Sequence, residues 1–106
     1  MYLTDSIKKA LDTYVEYISA QEGVLQIYLF GSCAYGTPNE RSDIDLMVIV
    51  DDSLNTGKMA EKISKGLANR EVHLDVLVNR KTAFSKAANE LTIQNTIKNS
   101  GVLLYG

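Results

Sequence analysis

Cysteine occurs once in the 106 residues, as Cys33, so no internal disulfide is possible and the chain suits a reducing cytoplasm. Proline also occurs once, at Pro38, and marks the loop in which it falls. Long apolar runs are missing. The longest, at 46–50, and others such as 76–78 fall far short of a bilayer span, so no membrane segment is expected. The N-terminus has no basic-then-apolar leader and instead carries Asp5 in a helical pattern, so secretion is not expected either. Positive charge is scarce: 11 Lys+Arg against 13 Asp+Glu leave a net charge of −2. Tight autonomous binding to a polyanion relies on a basic surplus that releases counterions, so any nucleic-acid substrate would need a partner or a local basic strip. Linkers, internal repeats and low-complexity tracts are also lacking, and the length suits one core, which predicts one domain over residues 1–106.

What is present is a set of short periodic segments. Thr4 or Asp5 can cap a first helix in which Ile7, Leu11, Val15 and Ile18 form one apolar stripe, with Gly23 ending it. Val24–Phe30 reads as a strand, with Leu25, Ile27 and Leu29 on one face and Val24, Tyr28 and Phe30 on the other. Residues 43–51 read as a second strand whose apolar stretch 46–50 is covered on both faces, as for a central strand. A second helix is predicted over 53–69, capped by Ser53 or Thr56, with Met59, Ile63 and Leu67 inward; Asp51 and Asp52 would initiate it. A third strand spans 72–78, with His73, Asp75 and Leu77 on one face and Val72, Leu74, Val76 and Val78 on the other. Two helical pieces (82–89 and 90–99) and a short strand, Val102–Tyr105, complete the pattern. The order predicts an α/β (α+β) fold, a small mixed β-sheet flanked by helices.

The segment that joins the first two strands carries the chemistry. Gly31-Ser32 follows the first strand, Gly36 keeps the turn small, and Asp43-Ile44-Asp45 opens the second strand. Glycine lets backbone N–H groups approach an anion closely, and a hydroxyl such as that of Ser32 can donate to a phosphate oxygen. Asp43 and Asp45 stand two apart, so in extended backbone they share a face with Cα atoms roughly 6.5–7 Å apart. Such a pair can hold one Mg²⁺, or bracket two ions roughly 3.5–4 Å apart. Asp75 lies inside an otherwise apolar strand, costly unless paired or metal-bound. If the two strands are neighbours, all three carboxylates converge: Asp43 and Asp45 hold the metals, while Asp75 completes the second site and takes the proton of an acceptor hydroxyl. A phosphate cradle beside a metal-binding pair predicts magnesium-dependent transfer of a nucleotidyl group.

Other residues read more plainly. His73 is expected to be a satisfied structural histidine, with proximity to the metals as the alternative. Cys33 has no metal-ligand or nucleophile neighbours in the pattern and is expected as a small buried side chain. Tyr35 either stacks on a base or packs over the loop. Lys58, Lys62 and Lys65 share a helical face, and Arg80-Lys81 follows the third strand; each reads as a solvated face able to steer a polyphosphate.

Phe30-Gly31-Ser32-x-Ala34-x-Gly36, then Ser42-Asp43-Ile44-Asp45-Leu46, then Leu74-Asp75-Val76 resembles the nucleotidyltransferase superfamily that includes DNA polymerase beta, in its minimal MNT-type form. The likeness runs to the final Gly101-Val102-Leu103-Leu104-Tyr105. It implies two Mg²⁺ ions on Asp43, Asp45 and Asp75, with the triphosphate of ATP or another NTP at Gly31 and Ser32, supported by Gly36 and Ser42. It further implies transfer of NMP, AMP foremost, to a protein or RNA acceptor, and a homo- or hetero-oligomer with a HEPN-type helical protein as partner in a toxin–antitoxin pair. Two rivals share the motif: a non-catalytic antitoxin that occludes its partner, and a small-molecule nucleotidyltransferase of the antibiotic-modifying kind. The chain departs from many minimal relatives in lacking a basic residue at Cys33 or Tyr35, so Arg41, Lys58 or Arg80 would have to supply it.

Overall fold

A computed structural model describes residues 3–36, 43–68 and 72–106. Among the described residues nine elements follow in order: α1 (Asp5–Ser19), β1 (Val24–Phe30), α2 (Ser32–Tyr35), β2 (Ile44–Val50), α3 (Thr56–Gly66), β3 (Leu74–Arg80), α4 (Lys81–Ala88), α5 (Ile93–Ser100) and β4 (Val102–Tyr105). The strands form one mixed sheet in the order β3-β2-β1-β4. β1 runs antiparallel to both β2 and β4, while β2 and β3 are parallel and joined through α3. The predicted α+β architecture is the observed one. Among the described residues, no helix is long and apolar enough to cross a membrane.

The strand alternation divides the core in two. Ile44, Leu46, Val48 and Val50 of β2 pack with α1 and α3, whereas Met47 and Ile49 pack with Phe84, Ala88 and Ile97 from α4 and α5. β2 is thus covered on both faces, as its apolar stretch predicts. β1 departs from strict alternation. Its register slips between Val24 and Gln26, a β-bulge, so Val24 joins Ile27 and Leu29 in the first cluster and Leu25 turns outward.

Capping sets the helix ends. The Thr4 hydroxyl accepts from the Ile7 amide at 3.3 Å, which starts α1 as expected. The buried stripe of α1 contains Tyr14 in place of the predicted Val15, because the Tyr14 hydroxyl donates to the Val72 carbonyl at 2.5 Å and ties α1 to the approach of β3. For α3 the cap is Asn55, neither Ser53 nor Thr56; its side chain accepts from the Lys58 amide at 2.9 Å. Met59, Ile63 and Leu67 are buried as predicted, while Asn69 lies outside the described residues. Gly66 falls where α3 meets α1, and a Cβ there would overlap the Tyr17 ring. The two aspartates at the end of β2 are used separately. Asp51 accepts from the Ser53 amide (3.0 Å) and hydroxyl (2.6 Å). Asp52 instead reaches across to α4, accepting from the Thr82 amide at 2.9 Å and from the Thr82 hydroxyl, and so caps a helix whose own N-cap residue, Arg80, offers no side-chain bond.

Candidate active site

The topology gathers three chain segments at one edge of the sheet. β1 is antiparallel to β2, and β2 is parallel to β3, so the exit of β1 lies beside the starts of β2 and β3. The register aligns Phe30 with Asp45, and Asp45 with Asp75. Leu74, Val76 and Val78 face the α1/α3 core, so by alternation Asp75 projects from the opposite face, which Asp45 shares with Met47. Asp45 and Asp75, two of the three carboxylates predicted to converge, are therefore direct neighbours across a parallel strand pair, with Asp43 just before β2.

Asp45 is partly buried, whereas Asp43, His73 and Asp75 are exposed. Burial pushes the Asp45 carboxyl above the usual carboxylate range; the charges of Asp75 and Asp43 and a hydrogen bond with Asp75 push it further, and His73 opposes them. Ligand atoms of Asp43, His73 and Asp75 all lie within 4.8 Å of one another, and His73 Nε2 stands 3.1 Å from Asp75 Oδ1. His73, expected as a structural histidine, is therefore a solvent-facing member of the acidic cluster. Its two-residue spacing from Asp75 on a strand was the available signal, since such residues share a face.

The turn after β1 is shaped around Asp45. Gly31 has φ 75°, a left-handed conformation, and a Cβ there would run into the Asp45 carboxylate. Only glycine provides both the backbone angle and the space. The Gly31 carbonyl accepts from the Ala34 and Tyr35 amides at 3.0 Å, and the Ser32 carbonyl accepts from the Gly36 amide at 2.9 Å, which closes α2 as a single turn. Ser32 is exposed beside the carboxylates, and Tyr35 is also exposed, though partial burial raises its phenol. Cys33 is buried as predicted, and it has a task composition did not suggest: its Sγ donates to the Asp43 carbonyl at 3.3 Å, linking α2 to the residue before β2. Burial first, and then the Asp45 charge, raise its thiol, so it stays protonated and able to donate.

Two residues expected to lend positive charge lie elsewhere. Arg80 aligns with Val50 at the far end of β2 and donates from Nε to the Leu54 carbonyl at 2.7 Å. Lys58 borders a cleft of about 540 Å³ with Gly23, Asp51 and Lys62, also at that far end. Five residues of extended strand separate Asp45 from Val50, about 16 Å. Ser42 and Arg41 lie outside the described residues.

The donor set fits a divalent cation. Three carboxylates meet where β2 and β3 begin, one of them held at raised affinity for a proton by burial first and then by its like-charged neighbours, and the missing side chain of Gly31 leaves the Asp45 carboxylate its place against the turn. Such a cluster is unfavourable by itself and becomes favourable with a cation among the oxygens.

Comparison with known proteins follows the same lines. The family described as polymerase beta, nucleotidyltransferase matches residues 12–106. No curated protein sequence matches the chain. Among solved structures, a candidate nucleotidyltransferase from Sulfolobus solfataricus is similar with a TM-score of 0.60 at 19% identity, over 96% of this chain and 87% of that one. A toxin–antitoxin structure with AMP-PNP is similar with a TM-score of 0.51 at 20% identity, over 97% of this chain and 74% of that one. At these identities the shared property is the fold.

Proposed function

This chain belongs to the polymerase beta-type nucleotidyltransferase family, and from that premise we propose that it moves AMP from ATP onto a hydroxyl of a protein or RNA acceptor, as the antitoxin half of a HEPN/MNT-type pair. The observation that carries this reading is the meeting of Asp43, Asp45 and Asp75 against the Gly31 turn. The likeness to a toxin–antitoxin structure with AMP-PNP supports the choice of adenine nucleotide and of partner class.

In the transfer, the acceptor oxygen bonds to the α-phosphorus, the bond from that phosphorus to the bridging oxygen breaks, and pyrophosphate leaves with the bond's electrons. Two Mg²⁺ ions, when bound, would supply neutralisation of the triphosphate's charge. Asp43 and Asp45 would hold them from β2, and Asp75 would complete the set from β3. The exposed Asp75 carboxylate would also take the proton that the acceptor hydroxyl loses. Gly31 and Ser32 would present a backbone amide and a hydroxyl to the phosphates, with Gly36 and Ser42 assigned to the same binding role. Arg80 and Lys58 stand at the opposite end of the sheet, so positive charge beyond the metal would come from Arg41 or from the partner.

The test is transfer of label from ATP labelled at the α-phosphate, with Mg²⁺ and either cell extract or the product of the neighbouring gene. A discrete labelled band that disappears in the Asp43→Asn/Asp45→Asn variant is the expected result. A folded protein that labels nothing, while the same variant still neutralises the partner in cells, would overturn transfer in favour of occlusion.

A further inference from the structure

Resting on that reading, we propose that His73 is a nitrogen ligand to the cation, so that this centre prefers a transition-metal ion such as Mn²⁺ over Mg²⁺. One ring nitrogen of His73 and carboxylate oxygens of Asp43 and Asp75 lie mutually within 4.8 Å, all three side chains open to solvent. Metal–ligand bonds of about 2.1 Å place adjacent ligands of an octahedral ion about 3.0 Å apart and opposite ones about 4.2 Å apart. His73 Nε2 and Asp75 Oδ1 are hydrogen-bonded to each other at 3.1 Å, the spacing of an adjacent ligand pair, so a cation would take the place of the proton between them, and the 4.8 Å limit admits Asp43 with a small side-chain adjustment.

His73 is held where this requires. The amide of Ile44 donates to the His73 carbonyl at 2.9 Å, extending the β2–β3 pairing past the strand itself, and the neighbouring Val72 carbonyl is fixed by Tyr14. The backbone on both sides of the imidazole is thus anchored, and the ring shares the face of Asp75. The consequence is chemical. Mg²⁺ favours an all-oxygen shell and gains little from imidazole, which suits Zn²⁺, Fe²⁺ and the later transition ions best; Mn²⁺, though at home among carboxylates, accepts a mixed nitrogen and oxygen set more readily than Mg²⁺ does. One histidine among carboxylates shifts selectivity toward such ions while leaving Mg²⁺ able to use the oxygens alone.

The experiment uses the purified full chain with Mn²⁺ alone, read by pulsed electron paramagnetic resonance for nitrogen modulation from a bound imidazole. Binding titrations of Mn²⁺ and Mg²⁺ run in parallel. The expected result is nitrogen modulation in the wild type that is absent in His73→Gln, an Mn²⁺ affinity about tenfold weaker in that variant, and a much smaller change for Mg²⁺. His73 is exposed, so the substitution should leave the fold intact, as circular dichroism will verify. Mn²⁺ bound without nitrogen modulation, or equal losses for both ions, overturns the role of His73 and leaves the nucleotidyltransferase reading standing. Mn²⁺ binding that persists in Asp43→Asn/Asp75→Asn places the ion elsewhere and also overturns it. Failure of the wild type to bind either ion would overturn both readings.

Discussion

The two ends of β2 carry the same residue type in opposite physical states. At its start, Asp45 sits partly buried among Asp43 and Asp75, and its carboxyl is pushed above the ordinary range. Past its end, Asp51 and Asp52 are fully exposed; the side-chain bonds from Ser53 and Thr82, respectively, are the main cause that draws each below that range. One end spends stability on a cluster of like charges, and the other uses single charges to fasten turns. A carboxylate that receives N–H and O–H donors is explained by the fold, whereas a half-buried carboxylate set among like charges is the kind of group found at functional sites.

The sharpest way to break this contrast is to neutralise one carboxylate at each end. Asp43→Asn should lower nucleotidyl transfer by at least about a hundredfold, while Asp52→Asn leaves it within about twofold; label transfer measures both, and equal losses would erase the distinction. Gly31→Ala comes next. It forces a side chain onto a left-handed backbone and into Asp45, so it should cost more than about 1 kcal/mol in urea unfolding and reduce transfer as well.

Smaller effects test the electrostatic signs. The folded-state pKa of Asp45 is raised, so its contribution to stability is present below the unfolded value and lost as pH rises through the folded one. Cation-free Asp45→Asn should therefore melt higher than wild type at neutral pH, by a few degrees, and the gap should close as pH falls. Added divalent cation should raise the melting temperature of the wild type more than that of the variant, which keeps Asp43, His73 and Asp75 but lacks the third carboxylate. For Asp52 the folded pKa is lowered, so its contribution is present above the unfolded value and lost as pH falls through the folded one. Asp52→Ala should thus show a slight drop in melting temperature near neutrality that disappears in acid.

Much of this arrangement was legible from residue order. The limits of β1 and β4 follow directly from alternation and from the bounding glycines, and the apolar run of β2 marks a central strand. The three aspartates were readable as one cluster, on the condition that β2 and β3 are neighbours. The rest depends on pairing. The bulge that turns Val24 inward belongs to the β1–β2 register and leaves no trace in the residues of β1. Asp52 caps a helix 30 positions away, a long-range bond that local capping rules miss. Arg80 and Lys58 resemble phosphate-binding cations until the parallel register puts them at the wrong end of the sheet. His73 needed its distance to Asp43, which spans two strands and is set by tertiary structure alone.

Cys33 turns the Gly31 turn into its own reporter. The thiol is almost wholly shielded, bonded to the Asp43 backbone, and the one cysteine of the sequence. A thiol-specific reagent can modify it only when α2 lifts away from β2, so the modification rate measures how often that turn opens, free of interference from any other site. Saturating cation and nucleotide should slow it in step with their occupancy, which would make local breathing, chemistry and ligand loading readable from a single sulfur atom.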